Sequence, residues 1–120
     1  MDGLQDRNMR GGVVRLDRFV VPGAARDEFL MRVGQTHDIL RTQHGFIRDL
    51  LLERPGDAGA SVIVTLVEWD SGETVERVVP VVRAAHARMG FDPRETMARL
   101  GISAEMGTYA PIAGTTAAAE

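Results

Sequence analysis

The chain holds three histidines, the side-chain type best suited to moving protons near neutral pH, and two of them stand on apolar helical stripes. His86 lies in "VVRAAHARMG" (81–90), in helical register with Val75, Val78, Val79, Val82 and Met89. His37 lies in "AARDEFLMRVGQTHDILRTQ" (24–43), on a stripe with Phe29, Leu30, Val33 and Leu40. Inward-facing histidines on two helices that cover one sheet can converge on one cavity. Their chemistry would be general-base chemistry, taking a proton from a bound small molecule. Each also has a plainer reading, a core imidazole with its nitrogens hydrogen-bonded. His44, beside Gly45 at a helix end, reads as a helix cap. Two histidines are too few for a catalytic metal site, and no metal is expected.

Asp17 is the third candidate for proton transfer. In "VVRLDRFVV" (13–21) it alternates with Val13, Arg15 and Phe19 on one strand face. If that face meets the helices, Asp17 is a buried carboxylate that needs Arg15 or a histidine as partner. If it meets a second subunit, Arg15 and Asp17 form an intersubunit ion-pair element. Both readings stay open. Arg15, Phe19, Trp69, Val82 and Tyr109 are the candidate substrate-binding residues. Of these, Trp69 also reads as a packing anchor at a strand end, and Tyr109 as a sheet-edge residue.

Composition removes several chemistries. There is no cysteine, and all 14 basic residues are arginine, so thiol nucleophiles, thiolate metal sites, lysine Schiff bases and Walker-type phosphate loops are absent. The net charge is −3 and the arginines are scattered, so no basic stripe follows a nucleic-acid backbone. No run approaches the ~20 apolar residues of a membrane span. The opening "MDGLQDRNMRGG" lacks the apolar core of a secretory signal. A cytoplasmic protein with neither nucleic-acid nor membrane partners is the expectation.

The elements that must position these residues are well punctuated. Strands are expected at 13–21, 46–54, 61–69 and 102–112, with the second and third joined as a hairpin through "PGDAG" (55–59). The first helix spans 24–43 and the second 70–90, the latter read as two segments meeting at Pro80. Asp92, Pro93 and Glu95 start a short helix that Gly101 stops. One domain is expected over 12–112, between a flexible tail at 1–11 and a disordered one at 113–120. The order β-α-β-β-α-(α)-β is the ferredoxin-like α+β plan, an antiparallel sheet with helices on one side. Yet the third strand is apolar on both faces: Val62, Val64 and Leu66 on one, Ile63, Val67 and Trp69 on the other. A second copy of the sheet in an isologous homodimer is the economical cover.

A strand, a "PG" turn, a helix, "HGF" opening the second strand, and "LVEWDSGE" leading to a helix with "AAH" together resemble the antibiotic biosynthesis monooxygenase family over about residues 12–112. That resemblance implies a dimeric α/β barrel with a pocket between sheet and helices. One branch of the family oxidises polycyclic aromatic phenols to quinones with molecular oxygen and no cofactor, using Asn, Trp, Tyr and Arg. Here the one asparagine, Asn8, stands in the expected tail. A second branch binds and degrades haem through a second-helix histidine, which His86 would match. Its strand asparagine and helix tryptophan are replaced by Asp17 and Glu76. The leading expectation is a cofactor-independent monooxygenase acting on an aromatic or quinol-type small molecule with oxygen. The alternatives are a haem-binding or haem-degrading enzyme with His86 on iron, and a non-catalytic ligand-binding dimer.

Overall fold

The structure is a computed structural model and describes residues 12–115. Its elements are β1 (Val13–Val21), α1 (Arg26–Arg41), β2 (Phe46–Pro55), β3 (Ser61–Trp69), α2 (Gly72–Arg88), α3 (Pro93–Leu100) and β4 (Ser103–Tyr109). The sheet is antiparallel throughout, in the order β2-β3-β1-β4. This is the expected ferredoxin-like arrangement, one sheet under one layer of helices, in a body only 19 Å thick. The expected N-terminal tail, and residues 116–120 of the C-terminal one, lie outside the described residues.

Local chemistry explains the boundaries. Pro22 ends β1, and a single 3-10 turn at Gly23–Ala25 feeds α1, whose first-turn Asp27 and Glu28 complement the helix dipole. The Ser71 hydroxyl accepts the Thr74 N–H and caps α2. Asp92 Oδ1 accepts the N–H groups of Arg94 and Glu95, with Pro93 in the first turn, and Gly101 ends α3 in the left-handed region at φ 72°. Gly45 is the strictest glycine. It sits at φ 95°, and a Cβ there would come within 2.7 Å of Thr74 Cγ2 and 2.8 Å of Asp70 Oδ1.

Two expectations are corrected here. The second helix runs unbroken through Pro80. Proline deletes one backbone bond, to the Glu76 carbonyl, and both residues are exposed, so water can satisfy that carbonyl. The other concerns His44, which does not cap α1. That helix ends at Arg41, its last turn is closed by the Thr42 hydroxyl on the Ile39 carbonyl, and His44 itself offers only its carbonyl, to Arg77.

The helix-facing side of the sheet carries two apolar clusters. Phe19, Val21, Phe29, Ile63 and Ile102 form one, and Val67, Trp69 and Val78 the other. Between them runs a row that is not apolar. Asp17 on β1 is paired with Thr65 on β3 and with Met106 on β4. The opposite side of the sheet has no helix. Val14, Leu16, Val20, Leu50, Leu52, Val64 and Leu66 share that side by register, and Leu50 and Leu52 are 42% and 51% exposed.

Candidate active site

A cavity of about 300 Å³ lies over the Asp17–Thr65 row, at the small end of ordinary ligand pockets. The sheet floor contributes Asp17, Phe19, Thr65 and Met106. The α1 wall contributes Phe29, Arg32, Val33, Thr36 and His37, the α2 wall Val82 and His86, and Phe91 with α3 closes the end. Arg99 on α3 bonds Glu28 on α1 at 2.6 Å and ties that end shut. The short helix is thus a wall of the cavity.

His37 and His86 are both buried and both line this one cavity, but their surroundings differ. His37 Nδ1 lies 2.8 Å from Asp49 Oδ2 on β2. The same oxygen accepts Arg41 Nε at 2.9 Å and Arg41 Nη2 at 2.8 Å. Burial pushes the Asp49 carboxyl up, but the His37 and Arg41 hydrogen bonds outweigh it and hold its pKa below the usual value. An ionised carboxylate only accepts, so Nδ1 carries the hydrogen in neutral His37 and Nε2 bears the lone pair. Asp49 fixes both the tautomer and the ring plane.

His86 faces the other way. Its Nε2 is 2.8 Å from the Thr36 hydroxyl, and its ring meets Phe91 edge to face at 4.9 Å between centroids. Burial, then the charge of Arg32, lowers its pKa, so it is neutral at neutral pH. The Arg32 guanidinium lies 4.5 Å from the centre of the Phe91 ring.

Asp17 points to the helices, which resolves the two readings of its strand face. Its partner is Arg15 of the same chain, with Nε 3.0 Å from Oδ1, and not a histidine. Burial raises the Asp17 pKa above the ordinary carboxylate value even though Arg15, the Gly107 amide and His37 all pull it down. Arg15 holds Asp17 from outside the cavity lining, while Phe19 and Val82 are part of it. Trp69 is elsewhere, 3% exposed in the second apolar cluster and edge-on to Phe46 at 5.7 Å. Tyr109 is placed on the helix-free side of the sheet, paired with Val14, where its ring covers Gly107. Val79 and Met89, taken from sequence as part of the inward stripe, are 38% and 40% exposed.

Asp49, Arg32, Thr36 and Phe91 were not among the residues read from sequence. Asp49 had a signal: in "FIRDLLLER" it occupies the same strand face as Glu53, toward the first helix, but the apolar run hid the alternation. Arg32 and Thr36 are four apart on α1 and so share the face that looks toward α2. Among the described residues, no group of three or more His, Asp or Glu side chains has a metal-site arrangement, and no helix is long and apolar enough to cross a membrane.

Comparison with known proteins gives structural relatives. No protein-family model matches the chain, and no curated protein does. Among solved structures, SnoaB from Streptomyces nogalater, a cofactor-independent oxygenase, superposes with a TM-score of 0.64 at 25% identity, over 88% of this chain and 97% of that one. MhuD, in a form with two manganese protoporphyrin IX molecules per active site, gives 0.60 at 22% identity, over 88% of this chain and 99% of that one. A dimeric ferredoxin-like protein from an uncultured marine organism gives 0.60 at 7% identity, over 81% of this chain and 92% of that one. At those identities the last two speak to the fold alone. The architecture is that of monooxygenase-type ferredoxin-like proteins.

Proposed function

We propose that the chain is a cofactor-independent oxygenase that converts a phenolic aromatic molecule to a quinone with molecular oxygen, working as a homodimer. The observation that carries this reading is the Arg41–Asp49–His37 array, in which Asp49 takes His37 Nδ1 and leaves Nε2 without a hydrogen-bond partner among the described residues, beside a cavity otherwise lined mainly by apolar side chains. The likeness to SnoaB supports the choice of oxygen as co-substrate.

In this reading, a phenol entering the cavity donates its O–H to His37 Nε2. Proton transfer leaves a phenolate, and the imidazolium formed is stabilised by Asp49. The electron-rich ring is oxidised at the carbon para to the oxygen: one atom of O2 is retained as the second quinone oxygen and the other leaves as water. The substrate supplies the electrons, so the reaction balances without an external reductant. His86, neutral and bonded to Thr36, shapes the cavity end and is not the base. Apolar walls suit a flat ring system, and Asp17 with Thr65 gives the floor its polar spots.

Haem is the second reading and has less support in these residues. His86 Nε2 is engaged with Thr36, and Phe91 stands edge to face against the ring, so iron at Nε2 would have to displace Thr36. Glu76, at the position where a haem-degrading relative would carry tryptophan, is exposed on α2.

The second copy belongs on the helix-free side of the sheet, because an apolar surface of this extent is rare on a monomer. Catalysis is tested by incubating wild type and His37→Gln with 1-naphthol and larger polycyclic phenols under 18O2. Quinone carrying one labelled oxygen is expected, with the variant slower by about 10²-fold or more. Unlabelled product, or equal rates, overturns the reading, as does the absence of quinone from every phenol.

A further inference from the structure

The charges around the cavity are paired, with one exception. Asp17 is matched by Arg15, and Asp49 by Arg41. Arg32 makes no ion pair among the described residues, and Glu28, the acid whose pKa feels its charge, is already bound by Arg99. One N–H on Arg32 Nη1 is spent on Gln35 at 3.1 Å, and the buried Nε has no acceptor in the chain. An unmet buried donor on a cation is costly and calls for an acceptor. Phe91 lies over the guanidinium and fixes its plane without using a hydrogen bond.

Position along α1 sets the geometry. Arg32 and His37 are five residues apart, a rise of roughly 7.5 Å, and they point to different sectors of the helix surface. Arg32 stands beside Phe91 and His86 while His37 stands beside Asp49, so the two address different parts of one cavity.

We propose that Arg32 is an anion subsite that selects aromatic substrates bearing a carboxylate, held at the Phe91 end while the phenolic hydroxyl meets His37. This rests on the reading that the cavity binds the phenolic substrate, and it names the class: hydroxyaryl carboxylic acids. His86 next to Arg32 is neutral, so the end wall carries one positive charge and takes one negative group. The carboxylate would take N–H donors at the guanidinium's cavity side and neutralise its charge.

The experiment is equilibrium binding, needing no turnover. The probes are 6-hydroxy-2-naphthoate and 6-hydroxy-2-naphthamide, equal in shape and differing in charge, followed by calorimetry at neutral pH. The acid should bind wild-type protein at least about tenfold more tightly than the amide. Arg32→Gln should erase that preference while leaving amide affinity within about threefold, and Arg32→Lys should retain part of it. Equal affinities on wild type, a preference that survives Arg32→Gln, or no binding of either probe would each overturn the subsite. The wild-type comparison stands even if a variant folds poorly. A carboxylate preference without quinone formation from any phenol would sink the oxygenase reading alone. Quinone formation with no carboxylate preference would sink the subsite alone.

Discussion

Asp17→Asn should make the protein more stable at neutral pH, and only there. The carboxylate of Asp17 is 17% exposed on the cavity floor and its pKa is raised, with burial outweighing Arg15. A raised folded pKa means that the ionised form is worse accommodated in the folded chain than in the unfolded one. Stability attributable to this group is therefore fully present below the unfolded value of 3.8 and is lost as pH rises through the folded value. Asparagine keeps the shape, keeps an oxygen for the Gly107 amide and does not titrate. Its cost is the Arg15 ion pair, worth about 0–1 kcal/mol because Arg15 is 36% exposed. Removal of the buried charge should exceed that, for a net gain of about 1 kcal/mol near pH 7, or about 4–8 °C in Tm. The assay is thermal unfolding by circular dichroism from about pH 3.5 to 7.5 at one protein concentration, which holds any self-association fixed. The gap between variant and wild type should open with rising pH. A variant less stable at neutral pH, or a gain that does not change with pH, would refute the reasoning.

Two further outcomes are expected. Leu52→Asp, on the helix-free side of the sheet and already 51% exposed, should convert the proposed homodimer to a monomer of unchanged secondary structure in light scattering and circular dichroism; a dimer that persists would move the interface elsewhere. Haemin titration should give no saturable Soret shift that depends on His86, with His86→Ala as the comparison; a shift lost in the variant would put iron on that imidazole.

Much of this molecule is visible in its sequence because its periodicities are clean. β1 and β3 are β-branched runs bounded by turn residues, and the short helix has both its stops, so their bounds agree with the pattern. Helical spacing put His37 and His86 each on an inward face; that both line one cavity depends on how the two helices pack on the sheet. What stayed hidden depends on registers between elements. Tyr109 faces the helix-free side because β4 pairs Val14 with Tyr109 and Asp17 with Met106, and nothing local sets that offset. Asp49 becomes a partner of His37 only once β2 lies beside β3 under α1. Arg32 gains meaning from Phe91, which a turn after α2 brings back over α1. The proline in α2 misled because the carbonyl it leaves unbonded, on exposed Glu76, is open to water, and the helix continues past it.

The polar row between the two apolar clusters has a consequence for how this fold can change. Each cluster carries its own aromatic pair, Phe19 with Phe29 and Phe46 with Trp69, and neither pair depends on the side chains of Asp17 or Thr65. Asp17 and Thr65, the polar groups of the cavity floor, are thus not among the residues that hold the domain together, whereas Phe19 and Phe29 serve both the cavity and the core. Substitutions along that row can re-aim the site over many steps before any of them threatens folding, and some, by removing a buried charge, would leave a margin for the next.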